Sequence, residues 1–387
     1  MGLLSHPALA NLFDPEDFAK VERLQGFLSA ESIATMRRSP QSLYSEPVWS
    51  ELGRLGLFGI GLNDQELVSP KAAARSAAMT ADVLRDDVYC DVDMAIYVQG
   101  IVAVQTLVFN HENSVARNLI RPVRAGEIIM CTAYTDRDPN NPAIATACDA
   151  GYHLNGQKWL SVNMPDAHLA LGTFQDSEGR GKITGLIDLQ SRNISRETLH
   201  RLGGPGIFSQ GSMTLDNVFL PRSHVLASGL SGLRIWNRVI SISRILNAIS
   251  AVRSLSHLIV TVSADLAGRS VLNGAFRDQP AFRKWMFSAK ARAAVLENSI
   301  ADTLRMMAEG RFDEPRIAAL KATATKDATA LAEGARDLAG GGGTLATNEI
   351  ARICTSLNCH KFSSGAEAPL MALFAASLNR RAAAQTV

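Results

Sequence analysis

The spacing of apolar residues divides this chain into three stretches. Up to about residue 125 they recur at helical intervals. PVWSELGRLGLFGIGL (47–62) carries a helical stripe before a glycine-rich exit. SPKAAARSAAMTADVLRDD (69–87) is alanine-rich, with Ser69 placed to cap and Pro70 at the first helical position. DMAIYVQGIVAVQTLVFN (93–110) reads as a long apolar helix. From about 126 to 228 the period shortens. GYHLNGQKWLSV, HLALGTF, KITGLIDL and GSMTLDNVFLP are short, rich in branched or aromatic residues and partly alternating, as strands are. Asn-Gly, Ser-Glu-Gly and Gly-Gly-Pro-Gly sequences are read as the turns between them. After 229 helical spacing returns in three long segments, 234–266, 279–310 and 314–339, and persists almost to the end. The expected fold is therefore α+β and mostly α. It comprises an N-terminal helical domain (1–125), a central antiparallel β-barrel or sandwich (126–228) and a C-terminal four-helix bundle (229–387).

Composition narrows the function classes. The 387 residues are 47% hydrophobic and 20% charged, with a net charge of +2, which argues against a nucleic-acid surface or a polybasic membrane surface. No apolar run of the roughly 18 residues needed to span a bilayer is expected. The start, MGLLSHPALANLFDPEDF, lacks a basic stretch followed by an apolar block; it fits a myristoylation pattern only loosely. Five cysteines (Cys90, Cys131, Cys148, Cys354, Cys359) form no Cys-x-x-Cys pair. They are read as reduced thiols of a cytoplasmic protein without a structural metal.

Several stretches, in order and nearly end to end, resemble the acyl-CoA dehydrogenase family of flavoproteins. PVWSELGRLGLFGIGL is similar to its W-x-x-L-G-x-L-G-L-x-G helix, and AGEIIMCTAYTD to its S-G-E…C-x-A-L-T-E strand. GYHLNGQKWLSV is similar to G-Y-x-L-N-G-x-K-x-W-I-T/S, and SMTLDNVFLPRSHVLA to L-x-F-E-D-V-x-V-P-x-x-x-x-L. LAGGGGTL stands where the family has G-G-x-G. The resemblance implies FAD bound between the β domain and the bundle, with an acyl thioester of CoA or a carrier protein against the flavin. It also implies a homodimer or homotetramer. Thr135, Trp159 and Ser161 match residues beside the isoalloxazine, if one residue is missing after Lys158. Arg269 matches the arginine that meets the FAD pyrophosphate, Gln279 a glutamine reaching the adenosine end from a partner subunit, and Gly340 and Gly341 a loop on the neighbouring FAD. A guanidinium suits phosphate because its fork pairs with two oxygens.

The family's catalytic positions depart from the pattern. Ser364, in HKFSSGAEAPL, stands at the place of the glutamate that removes the α-proton while the flavin takes a hydride. Some members carry that glutamate on the first bundle helix, just before an arginine. Here the arginine is Arg244, and the residue before it is Ser243. A serine hydroxyl is a poor base near neutral pH unless a neighbour activates it. The Arg-Asp pair before the catalytic loop has become Thr355 and Ser356, and the Gly-Ser-Asp after the Thr-Glu has become Asn140, Asn141 and Pro142. Asp337 and Asp136 also replace the family's Gln and Glu.

Glu367, three residues after Ser364 and about one helical turn on, is a candidate surrogate base or a capping carboxylate. Asp136 and Tyr134 suit structural hydrogen bonds on the flavin side, and His360 is read as solvated or helix-capping. Four outcomes remain open: desaturation or oxidation of an acyl thioester with a relocated base; a non-redox substitution such as cyclopropane formation on a carrier-bound acyl group; flavin monooxygenation; or a non-catalytic partner subunit. Ser364 is expected to reshape the pocket.

Overall fold

The computed structural model describes residues 2–38, 43–62, 69–89, 92–200, 208–271 and 274–385. Cys90 and the Gly-Gly-Pro-Gly turn expected at 203–206 lie outside the described residues. The N-terminal region packs α1 (Pro15–Phe27), α2 (Ala30–Arg38), α3 (Glu46–Arg54) and α4 (Pro70–Val83) around the apolar stretch of the third predicted helix. Local chemistry sets the helix starts. Asp14 and Asp17 close a reciprocal capping box on α1, and Ser69 accepts from the Ala72 amide at α4 with Pro70 behind it.

The apolar stretch is helical from Val92 to Phe109 but not uniformly α. A π-helical segment, Tyr97–Ala103, separates α5 (Val92–Ile96) from α6 (Val104–Phe109). Gln99 lies within it, fully buried. Its amide donates to the Val123 and Ile128 carbonyls and accepts from the Met130 amide, tying this helix to the first strand. α7 (Ser114–Arg124), capped by Asn113, leads into the sheet.

Eight strands form one sheet: β1 (Met130–Ala133), β2 (Ile144–Cys148), β3 (Gly151–Val162), β4 (Leu169–Asp176), β5 (Lys182–Asp188), β6 (Ile194–Thr198), β7 (Gln210–Pro221) and β8 (Val225–Ser228). The order is β6-β7-β3-β2-β4-β5-β8, with β1 also on β4. The sheet is mixed, not wholly antiparallel: β1 and β2 both run parallel to β4. The expected Asn-Gly turn is absent. Asn155 and Gly156 lie inside β3 at a register break opposite β7. Gly156 adopts φ 125° there, and a Cβ at that position would meet the Ala143 Cα at 2.6 Å, so glycine serves a bulge and a close strand approach. Ser177-Glu178-Gly179 does turn between β4 and β5, with Gly179 at φ 72°.

The bundle consists of α8 (Gly229–Leu266), α9 (Pro280–Ala308), α10 (Glu314–Ala339), α11 (Glu349–Phe362) and α12 (Glu367–Gln385). A two-stranded hairpin, β9 (Ser270–Val271) with β10 (Gly274–Ala275), turns the chain from α8 into α9. α8 runs the full length of the bundle. Its first half packs into the core shared with the sheet and the N-terminal helices, through Ile242, Ile245, Leu246 and Ile249. Its second half joins a separate core, with Leu255, Leu258 and Val262 against Phe282, Trp285 and Ile350. The expectation that no stretch would be apolar enough for a bilayer is corrected here. Val92–Phe109 and Gly229–Leu266 pass by length and mean hydropathy (1.6 and 1.5), because a few polar residues are tolerated in such a window. The fold uses both as core helices, 94% and 78% of those windows being buried.

Candidate functional site

The loop between α11 and α12 brings together residues far apart in sequence. Ser363 ends α11 in an extended conformation, and Ser364 then takes a left-handed backbone (φ 56°) followed by Gly365 at φ 110°. Ser364 therefore lies outside both helices, and Glu367 begins α12 after the reversal. The one-turn relation expected between Ser364 and Glu367 does not hold. Glu367 pairs instead with the Lys326 ammonium of α10 at 2.7 Å, and that lysine is exposed.

The Ser364 hydroxyl lies 2.7 Å from the hydroxyl of Ser243 on α8. The two positions where the family resemblance looks for a carboxylate are thus one place in space, and both hold serine. Asn247, one turn after Ser243, donates from Nδ2 to the Ser243 carbonyl (2.7 Å) and to Ser364 Oγ (3.2 Å). Because a carbonyl only accepts, the first bond fixes the amide orientation and turns Oδ1 toward His360 Nδ1, 2.8 Å away. His360 must then carry its proton on Nδ1, with Nε2 3.6 Å from Asp93 Oδ2. Asp93 is held by Arg253 (2.8 Å) and Ser250 (2.5 Å). His360 is completely buried, which corrects the expectation of a solvated or capping histidine: it is the middle of a buried polar chain from α8 and α11 to α5. Asn247 stands between the histidine and the serines and cannot accept a proton as a base would. A hydroxyl already accepting from Asn247 is a still poorer base. The pair can donate hydrogen bonds; it has no carboxylate's affinity for a proton.

Two cations hold the loop from behind. Arg244, buried beside Ser243, donates from Nε to the Ser364 carbonyl at 3.2 Å. Lys321 of α10, wholly buried, donates to the carbonyls of Lys361 (2.9 Å) and Gly365 (2.6 Å). Burial, with the Arg244 charge adding to it, pushes the Lys321 ammonium down to about 7. These contacts satisfy carbonyls that the end of α11 leaves without helical partners. Ser356, one of the residues replacing the family's Arg-Asp pair, donates to the Tyr89 carbonyl, and Thr355 turns back to Ala351.

The residues expected beside a flavin gather at the junction of sheet and bundle. Tyr134 packs edge-on against Trp236 of α8, with ring centroids 6.4 Å apart; burial raises the pKa of its phenol. Thr135 follows, exposed, and its carbonyl accepts from the Trp159 amide at 2.9 Å. A register break lies between Lys158 and Ser161, where Leu160 adopts φ 54°. Trp159 is 36% exposed, with the Arg137 guanidinium 5.9 Å from its ring centroid, and Ser161 Oγ is buried without a bonding partner among the described residues. An exposed aromatic face beside an orphaned hydroxyl suits a planar, polar-edged ring. Asp136 serves the fold: it takes Lys158 (2.6 Å) and the Ala143 amide (3.0 Å).

Arg269, Gln279, Gly340 and Gly341 lie elsewhere. Arg269 and Gln279 flank the hairpin joining α8 to α9, and the glycines end α10 at that same far end of the bundle. Arg269 is exposed, and among the described residues its guanidinium bonds only to the Asp265 carbonyl one turn back. Gly340 has φ 62°, ψ −141°, which only glycine adopts readily, and a Cβ on Gly340 or Gly341 would meet nothing within 4 Å. Asp337, beside this loop, is exposed. Along α8, Arg269 is about 50 Å from Trp236 at ~1.5 Å per residue. The two groups of candidates therefore stand at opposite ends of α8.

Residues 231–379 match the family model described as acyl-CoA dehydrogenase, C-terminal domain. Among solved structures the chain is similar to a glutaryl-CoA dehydrogenase from Mycobacterium smegmatis in complex with FADH2, with a TM-score of 0.81 and 17% identity over 95% of this chain and 96% of that one. It is similar to an acyl-CoA dehydrogenase from Geobacillus kaustophilus (0.82, 14% identity, 95% and 98%). It is also similar to PigA in complex with FAD (0.82, 16% identity, 95% and 99%). No curated protein sequence matches this one.

Proposed function

We propose that this chain, which has the acyl-CoA dehydrogenase fold along nearly its whole length and that family's C-terminal domain, is an FAD-dependent enzyme acting on an acyl thioester of CoA or a carrier protein, with paired serines where its relatives place a base. The M. smegmatis enzyme binds FADH2 and PigA binds FAD. In this chain Thr135, Trp159 and Ser161 would hold the isoalloxazine end, and Arg269, Gln279, Gly340 and Gly341 of a second copy the pyrophosphate and adenosine end, which requires a homodimer or a homotetramer. Bound FAD would supply a two-electron acceptor.

The chain's own residues position the thioester. Arg244 and Lys321 fix the loop so that the Ser243 and Ser364 hydroxyls face the acyl group, where they donate hydrogen bonds and leave space a glutamate would fill. The 2.7 Å contact between those hydroxyls carries this reading. It also favours, as a second reading, a reaction in which the protein removes no α-proton, such as flavin monooxygenation in a specialised biosynthetic pathway.

The purified protein is expected to be yellow and to release FAD on denaturation. Ser364→Glu is expected to raise anaerobic bleaching of the flavin by a simple acyl-CoA at least tenfold. No gain in a variant that still holds FAD would mean that Ser364 does not face the α-carbon. Substrate-dependent oxygen uptake with a hydroxylated product would select the second reading.

A further inference from the structure

The protons around the serine pair outnumber the acceptors the protein offers them. Asn247 is saturated: its two Nδ2 protons go to the Ser243 carbonyl and Ser364 Oγ, and its Oδ1 accepts from His360. The hydroxyls of Ser243 and Ser364 bring two more protons but share a single contact. Elsewhere in the bundle Ser299, Thr303, Thr325 and Thr329 return their hydroxyls to the carbonyl one turn back. Ser243 makes no such bond among the described residues, and Ser364 lies outside any helix. Whichever hydroxyl donates to the other, one O–H is left without a protein acceptor. Both serines are partly exposed, whereas Asn247 and His360 behind them are buried, so the side open to a ligand is that of the hydroxyls.

The surroundings favour an electron-rich atom at that proton. The Arg244 guanidinium stands behind the loop, on the Ser364 carbonyl. Asp93 lies beyond His360 and is held by Arg253, Glu367 is paired with Lys326, and burial holds the Glu314 carboxyl above its ordinary range. A glutamate at either serine position would repel an oxygen carried by the substrate; an O–H attracts one. Where Ser243 donates to Ser364, Ser364 accepts twice and has only its proton to offer, a donor strengthened by the bonds it receives. A substrate hydroxyl could accept that proton and return its own to a lone pair of Ser243.

We propose that the serine pair is a donor site for a hydroxyl on the α-carbon, and that this chain selects 2-hydroxyacyl thioesters over acyl groups lacking that oxygen. Asn247 is the positioning residue: held by His360, it donates into Ser364 and leaves the pair's remaining proton to the substrate. The selection rests on the reading above, in which the serines face the acyl group.

The test is anaerobic calorimetric titration of the purified FAD-holding protein with pantetheine thioesters, pantetheine being the arm that CoA and carrier proteins share. The 2-hydroxybutyryl, 2-methylbutyryl and 2-aminobutyryl compounds are nearly equal in size and differ in what the α-substituent offers. The hydroxy compound is expected to bind at least tenfold tighter than the methyl compound, which leaves the donor unpaired. The amino compound, mostly an ammonium near neutral pH, should bind no tighter than the methyl compound. Ser243→Ala combined with Ser364→Ala should bring the hydroxy-to-methyl ratio to within twofold of one. Asn247→Asp, equal in size, cannot donate to Ser364 as a carboxylate and turns that serine's proton inward. It should lower the ratio at least threefold with the circular dichroism spectrum unchanged, which loosened packing alone would not do. Equal binding of the hydroxy and methyl compounds, a ratio kept in the double alanine variant, or tightest binding of the amino compound overturns the donor site and leaves the thioester reading standing. Saturable binding of none of the three overturns both. A ratio lost in the alanine variant but kept in Asn247→Asp overturns the role of Asn247.

Discussion

Ser364 spends backbone energy on its place. A non-glycine residue at φ 56° costs about 1–2 kcal/mol relative to the right-handed regions, and the loop recovers this through the bonds from Asn247 and Arg244. The polar chain behind it, from Asn247 through His360 to Asp93 and Arg253, is buried throughout, so each member is costly to remove singly. Asp93→Ala would remove the carboxylate that Arg253 bonds at 2.8 Å inside the core and is expected to destabilise the protein by about 3–5 kcal/mol in urea unfolding. A loss below ~1 kcal/mol would show that the ion pair is dispensable. Sequence could name Ser364 and Ser243 as the two vacated base positions, since each is defined by neighbours in a motif. It could not show that they touch, because 121 positions separate them. Asn247 follows Ser243 at the i+4 spacing that shares a helix face, a readable signal. Nothing in the spacing of His360 or Lys321 announced a role. Burial decides those, and burial is a property of the packed molecule.

The contact between α10 and the α11–α12 loop includes Lys321, whose charge is buried without a carboxylate among the described residues. Its folded pKa, about 7, lies below the unfolded value near 10.5, so between those values the unfolded chain binds more protons. Its contribution to stability therefore rises with pH across that window, by at most about 1.4 kcal/mol per unit, and below pH 7 the full cost of the buried charge remains. Unfolding by denaturant at pH 7 and pH 9 should show this rise in the wild type relative to Lys321→Met. Equal differences at both pH values would mean that the ammonium stays charged. At this scale the sequence was legible where periodicity and caps agree, as at α4 with Ser69 and Pro70. It was not legible where one residue alters the local winding. The π segment at Tyr97–Ala103 and the bulge at Gly156 leave the apolar pattern intact, and Asn155-Gly156 imitates a turn because glycine serves both purposes.

For the molecule as a whole, the order of helices, sheet and bundle followed from changes in apolar period alone, whereas the parallel pairing of β1 and β2 with β4 did not. A period of two is the same whichever way a neighbouring strand runs. The two groups of candidates lie at opposite ends of α8, and the proposed cofactor site unites them through a second copy. Trp159→Ala and Arg269→Ala are each expected to lose FAD when expressed alone. Co-expressed, they should recover part of it, because a mixed dimer holds one undamaged site. Mixed dimers that form and still hold no FAD would refute the shared arrangement. In that proposed dimer α8 acts as a measuring rod. Each residue added to or taken from its middle would shift one end by ~1.5 Å and turn it by about 100° against its counterpart, spoiling two cofactor sites in a single stroke. In the proposed assembly, then, a substitution on the rod's flank leaves this spacing intact, and a change in its length does not.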